Sequence, residues 1–293
     1  MNSLDTYLRS YNVDYTKELT HLSLCTGYEG IGSGLRRVFP NVREVAYVEI
    51  EAFAIANLVA KMEKGYLYAT PIYTDLKTFP YKEFYGKVDF LSAGFPCQPF
   101  SAAGRRASTE DPRHLYPYIA KGISECRPTY VVLENVQGII SSKTADGESV
   151  LKYVLGDLEE RGYRTSWGVF SASEVGAPHQ RKRVFILAHT SAQGLQGGEL
   201  GETQYRETEA HDTTAKRSND GWPARPGEEQ YEWEEPRVTK RTQSELGGAD
   251  DGIAGGVDSI TNRVDRLRLL GNGVVPQMAE RAIRVLLEKL HAK

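Results

Sequence analysis

Four short segments carry side chains able to do covalent chemistry on a ligand. The first is GFPCQPFS, residues 94–101, in which Pro96 and Pro99 bracket Cys97. Proline fixes φ and stiffens the backbone, so this pair would present the thiol on a rigid loop. A thiol placed there is a credible nucleophile, whereas a packing cysteine usually sits inside an apolar run. The second segment is ENV, with Glu134 directly after the apolar run YVVL. A carboxyl shielded from water stays protonated and can serve as an acid or hydrogen-bond donor; at a helix start it would merely cap. The third is QRKRVF, whose Arg181 and Arg183 stand two apart at the start of a predicted strand and so point to one face. Such a pair suits a carbonyl oxygen or a phosphate, and a solvated basic edge is the alternative. The fourth, LSLCTGYEGIGSGL, runs a strand into Gly27, Gly30, Gly32 and Gly34. Glycines let backbone approach a nucleotide at a helix start, although packing alone also asks for them. Glu49 follows at about the 20-residue spacing at which an acidic side chain accepts from ribose hydroxyls. Asp75 in YTDL could accept an exocyclic adenine amine, or simply cap a turn.

These residues need elements that bring them to one edge. Apolar runs at 21–25, 45–50, 88–93, 130–133 and 184–188 are short and nearly continuous, as in strands covered on both faces. Helix-like segments at 34–39, 51–64, 115–126 and 150–161 lie between them. The alternation predicts an α/β fold with a doubly wound, mostly parallel, Rossmann-like sheet and right-handed crossovers. Ligands on such sheets collect at the carboxyl ends of the strands, which is where Cys97, Glu134, Glu49 and the glycine turn fall.

Residues 190–262 break the pattern. They hold eleven glycines and few aliphatics, with 15 acidic and 7 basic residues, and their net of −8 leaves +5 on the rest of a chain whose total is −3. A basic body able to hold an anion, with one acidic insert, is the reading. Pattern returns in RVDRLRLLGNGVVPQMAERAIRVLLEKL, where 276–290 reads as an amphipathic helix with Pro276 in its first turn. The expected division is 1–189 for catalysis and cofactor, 190–262 for a small target-recognition region, and 263–293 returning to the first.

Of 293 residues, 40% are hydrophobic and 26% charged, which excludes disorder throughout. No run of about 18 apolar residues exists, and the N-terminus lacks a basic start and apolar stretch, so the expectation is a soluble, cytoplasmic protein. Three cysteines without CxxC spacing predict neither a disulfide scaffold nor a zinc site, and no metal is expected.

Taken in order, LSLCTGYEGIG, Glu49, Asp75, GFPCQPFS, ENV, QRKRVF and LGNGVVP resemble the DNA cytosine carbon-5 methyltransferases that use S-adenosylmethionine. The resemblance covers roughly 20–190 and 263–290, and GFPCQPFS followed by ENV is its most specific part. The small insert and the compact ending are similar to phage or prophage members. The resemblance implies that Cys97 adds to carbon 6 of a flipped cytosine, that Glu134 holds ring nitrogen 3, and that Arg181 and Arg183 contact the base oxygen and support the carboxylate. It implies cofactor contacts from Cys25, Gly27, Tyr28, Gly30, Ile31, Glu49, Ile50, Asp75, Leu76, Pro96, Asn272 and Val274. Gln98, Ser101, Arg105 and Arg106 would meet double-stranded DNA, on a loop that closes over it. A monomer would suffice. Departures are Glu29 where the family has glycine, Ser23 where aspartate is common, and Gly273 in place of a more usual serine. Rival readings are the same chemistry on transfer RNA, a catalytically silent DNA-binding relative, and, from the glycine turn alone, a nicotinamide dehydrogenase. The late Cys-Phe-Thr segment of the RNA enzymes is missing, Cys97, Glu134 and Arg183 are all present, and a dehydrogenase has no use for PCQ or ENV.

Overall fold

The computed structural model describes residues 18–96, 115–144, 147–190 and 269–291. In chain order these form β1 (Leu19–Leu24), α1 (Gly30–Val38), β2 (Val42–Val48), α2 (Ala52–Glu63), β3 (Ile72–Tyr73), β4 (Phe90–Gly94), α3 (Tyr116–Cys126), β5 (Tyr130–Val136), α4 (Val150–Glu160), β6 (Tyr163–Ser171), β7 (Lys182–Thr190) and α5 (Pro276–His291). The strands make one sheet in the order β3-β2-β1-β4-β5-β7-β6. Pairing is parallel from β3 through β5, whereas β7 runs antiparallel to both β5 and β6. The expected mostly parallel α/β sheet is therefore present, with one reversed strand.

The near-continuous apolar runs are explained by cover on both faces. Side chains alternate across a strand, so Tyr130 and Val132 of β5 join a core with Leu35 and Leu286, while Val131 and Leu133 join the opposite core with Ile119, Val154 and Leu158. On α1, Ile31, Leu35 and Val38 recur at helical spacing and are buried. Helix α5 turns Met278, Ala282, Leu286 and Leu290 inward and lies against α1, β6 and β7. Truncating a side chain as enclosed as Leu286 to alanine costs about 2–5 kcal/mol.

Two edges differ from expectation in ways that matter for the site. Strand β5 does not stop at Leu133: its ladder with β7 pairs Glu134 with Phe185, Asn135 with Val184 and Val136 with Arg183. The antiparallel partner extends pairing past the end of β4, so the ENV residues sit inside a strand and not on a loop. The first helix also begins at Gly30, so the glycine turn is the helix entrance itself.

Candidate active site

At the end of β1 the chain turns through left-handed backbone at Cys25 (φ 49°), Gly27 (φ 58°) and Glu29 (φ 75°). The turn is tied to the end of β2. The Gly27 N–H donates to Glu49 Oε2 at 2.6 Å, and the Glu51 N–H donates to Glu49 Oε1 at 2.9 Å. Burial raises the Glu49 carboxyl, against the pull of these backbone donors. Ile50 beside it is 73% exposed, an apolar plate next to an acceptor. A side chain built on Gly27 would meet nothing within 4 Å, so its backbone is open to a ligand. An acceptor, an exposed apolar face and bare backbone fit a nucleoside, with hydroxyls for Glu49 and a flat ring for Ile50. Burial, with Glu49 nearby, pushes the Cys25 thiol up to about 12, so it stays neutral and is not a nucleophile. Ile31 and Leu76 are buried, and Pro96 is exposed. Asp75 accepts from the Lys77 N–H at 2.8 Å and so caps a turn.

The segment before α5 closes over this turn. The Tyr28 hydroxyl donates to the Val274 carbonyl. A Cβ on Gly30 would lie 2.0 Å from that same carbonyl oxygen, and one on Gly273 would lie 1.6 Å from the Tyr28 ring. Glycine at 273 is thus the counterpart of tyrosine at 28: a serine there would collide with the ring. Asn272 is exposed at the same place.

On the other side of β1 lie β4 and β5. Glu134, paired with Gly94, is buried, and its Oε1 meets Arg183 Nε at 3.1 Å. Burial raises the carboxyl to about 7, with Arg183 first and Arg181 second pulling against it. The group therefore titrates near neutrality and can hold or release a proton there. Asn135 Nδ2 donates to the Phe95 carbonyl at 3.0 Å, and its Oδ1 accepts from the Val136 N–H at 2.8 Å. ENV thereby grips the backbone that leads to Cys97. Cys97, Gln98, Ser101, Arg105 and Arg106 lie outside the described residues, as do 191–268.

The two arginines bond to different partners, although both act on Glu134. Arg181 precedes β7 with φ 36°, so strand alternation does not govern it. Its guanidinium donates to the carbonyl of Gly271 at 2.8 Å and to that of Gly273. Arg183 holds the carboxylate while Arg181 holds the segment over the glycine turn, yet both charges act on Glu134. Sequence reasoning missed Tyr28 as the occupant opposite Gly273. It also missed the buried charges around Glu29; the heptad spacing of Glu29 and Arg36 was the one available signal.

The family model for C-5 cytosine-specific DNA methylase matches residues 19–246. The chain belongs to that family. Among curated relatives of this chain, the Type II methyltransferase M.NgoMIV of Neisseria gonorrhoeae is 30% identical over 171 residues, 58% of this chain and 52% of that protein. The Type II methyltransferase M.CviJI of Paramecium bursaria Chlorella virus IL3A is 34% identical over 168 residues, covering 57% of this chain and 42% of its own. The chain thus spans about half the length of the curated relatives it matches. Among solved structures, the S. pombe Dnmt2 methyltransferase is similar at a TM-score of 0.45 and 24% identity, over 61% of this chain and 52% of that one. Among the described residues, no helix is long and apolar enough to cross a membrane.

Proposed function

We propose that this chain transfers a methyl group from S-adenosylmethionine to carbon 5 of a cytosine flipped out of double-stranded DNA. The observation that carries the reading is Glu134: a buried carboxyl held near neutrality, ion-paired to Arg183 and next in line to the Asn135 brace on Phe95.

Carbon 5 of cytosine is a poor nucleophile, so the Cys97 thiolate adds first to carbon 6. The bond to sulfur forms as the ring double bond shifts, and negative charge builds toward ring nitrogen 3. Protonated Glu134 donates there, and Arg183 keeps the resulting carboxylate paired in its buried place. Bound S-adenosylmethionine supplies the electrophilic methyl group. Removal of the carbon 5 proton then lets the ring expel the thiol; no side chain is assigned that proton. Gly27, Glu49, Ile50, Asp75, Leu76 and Pro96, with Cys25, Tyr28, Gly30, Ile31, Asn272 and Val274 around the turn, would hold the cofactor.

Gln98, Ser101, Arg105 and Arg106 would follow the DNA backbone after the base is extruded. Residues 190–262 would read the sequence, and 263–293 would return to the 1–189 body, in a cytoplasmic monomer. The test is to incubate unmethylated DNA with the protein and S-adenosylmethionine and sequence it at base resolution. Methylcytosine in one short context supports the reading; unmodified DNA under saturating cofactor overturns it.

A further inference from the structure

Behind the cofactor turn lies a buried set of charges that the reaction does not use. Glu29 is 1% exposed although it occupies the turn, between open Gly27 and the helix. Its Oε2 accepts from Arg36 Nη2 at 2.7 Å and from Ser33 Oγ at 3.1 Å. Arg36 Nη1 reaches Glu44 on β2, and Glu44 Oε1 lies 3.6 Å from His21 Nδ1 on β1. The other ring nitrogen of His21 is 2.8 Å from Ser92 Oγ on β4. From α2, the Lys61 ammonium donates to the Tyr28 carbonyl at 2.7 Å, so two adjacent residues of the turn, 28 and 29, are anchored from behind.

The sequence makes room for this arrangement. A Cβ on Gly32 would lie 1.6 Å from Glu29 Oε1, so the carboxylate folds back over its own helix because residue 32 is glycine. His21, Glu29 and Glu44 present ligand atoms within 4.8 Å of one another, as a cation site would. Arg36 already places one nitrogen on each carboxylate, however, and so takes the place of a bound cation. Left-handed backbone at a non-glycine residue persists only where the surroundings over-determine it. Here Cys25 and Glu29 both adopt it, on either side of Gly27.

We propose that Glu29 is a positioning residue for the cofactor turn: with Arg36 and Glu44 it fixes the backbone of residues 27–30 so that Gly27 stays bound to Glu49 and open to the ligand. The proposal rests on the reading of that turn as the S-adenosylmethionine site. It accounts for a charged residue where the family has glycine: the carboxylate braces the turn from within.

The test uses E29A and E29Q in the full chain. Calorimetry with S-adenosylhomocysteine should show affinity falling about tenfold or more in E29A, while kcat at saturating cofactor stays within about twofold. E29Q, which still accepts from Arg36, should recover most of the affinity. In ligand-free protein, amide exchange should accelerate over residues 25–31 in E29A and remain unchanged in β5 and β7. Wild-type affinity in a folded E29A, or exchange that rises uniformly, overturns the proposal. If E29A does not fold, E29Q decides: wild-type affinity together with wild-type exchange at the turn overturns it, and a partial loss confined to the turn supports it. If the wild type binds no S-adenosyl compound, the cofactor reading fails, and local exchange alone then decides whether Glu29 holds the turn.

Discussion

Asn135 donates from its side-chain amide to the carbonyl of Phe95 at 3.0 Å, two residues before the thiol of Cys97. The bond links the strand that carries Glu134 to the backbone that leads to Cys97. Its partner Oδ1 is satisfied by the Val136 N–H, so the amide is held in one orientation. Asn135→Ala leaves a buried carbonyl without a donor, a loss of about 1–3 kcal/mol. The expected result is a lower melting temperature and a kcat reduced by about tenfold, equivalent to about 1.4 kcal/mol. Cofactor affinity should hold, because none of the turn residues touches this bond. A variant that loses affinity and keeps kcat would show that the brace serves the other half of the site.

The Glu134–Arg183 pair sets a pH limb. The Glu134 carboxyl titrates at about 7, so its protonated fraction falls as pH rises through that value. The proposed acid is then lost, and kcat should decline on the alkaline side. Glu134→Gln should turn over far more slowly at all pH values and lack this limb, while still binding DNA. Arg183→Ala removes the charge that most strongly opposes burial, so the limb should move to higher pH as overall activity drops. Initial rates from pH 5.5 to 9 in the three proteins check the sign. A limb that stays put in Arg183→Ala would separate the arginine from the titration.

Cys97→Ala should abolish methyl transfer and leave S-adenosylhomocysteine affinity within about twofold of wild type, since the thiol acts on the base. Calorimetry and a tritium-transfer assay measured on the same preparation distinguish loss of chemistry from loss of cofactor.

Gly273→Ser should destabilise the protein by about 1–3 kcal/mol through overpacking, because a Cβ at 273 would lie 1.6 Å from the Tyr28 ring. Tyr28→Leu in the same chain should restore part of that loss. The two changes would then be non-additive in thermal denaturation, as expected for residues in direct contact. Additive effects would mean that the ring yields at no cost.

What the amino-acid order reveals here follows the range of each interaction. Runs such as 130–133 and 184–188 are apolar on both faces, and both appear as central strands. Strand β6 escaped because it is an edge: residues 165–169 are all half-buried, so neither periodicity stands out. Strand β3 is two residues long, too short for any pattern. Cys97, Glu134 and Arg183 are recognisable because their motifs are contiguous. The partners of Glu29 are not, because Glu44 and His21 reach it only through strand register. Alternation alone does not fix how Arg181 and Arg183 are related, because Arg181 lies before the strand begins and has positive φ.

The position of α5 has a consequence for synthesis. Its apolar stripe covers Leu35 and Val38 of α1, and the loop ahead of it meets Tyr28 in the glycine turn. A ribosome emits β1 and α1 first and Met278 more than two hundred residues later. Until then the nascent chain shows a greasy face and an unfinished ligand turn, the kind of surface that chaperones and proteases recognise. A fragment released early would keep that face uncovered, and the turn would be completed only once the late segment has docked.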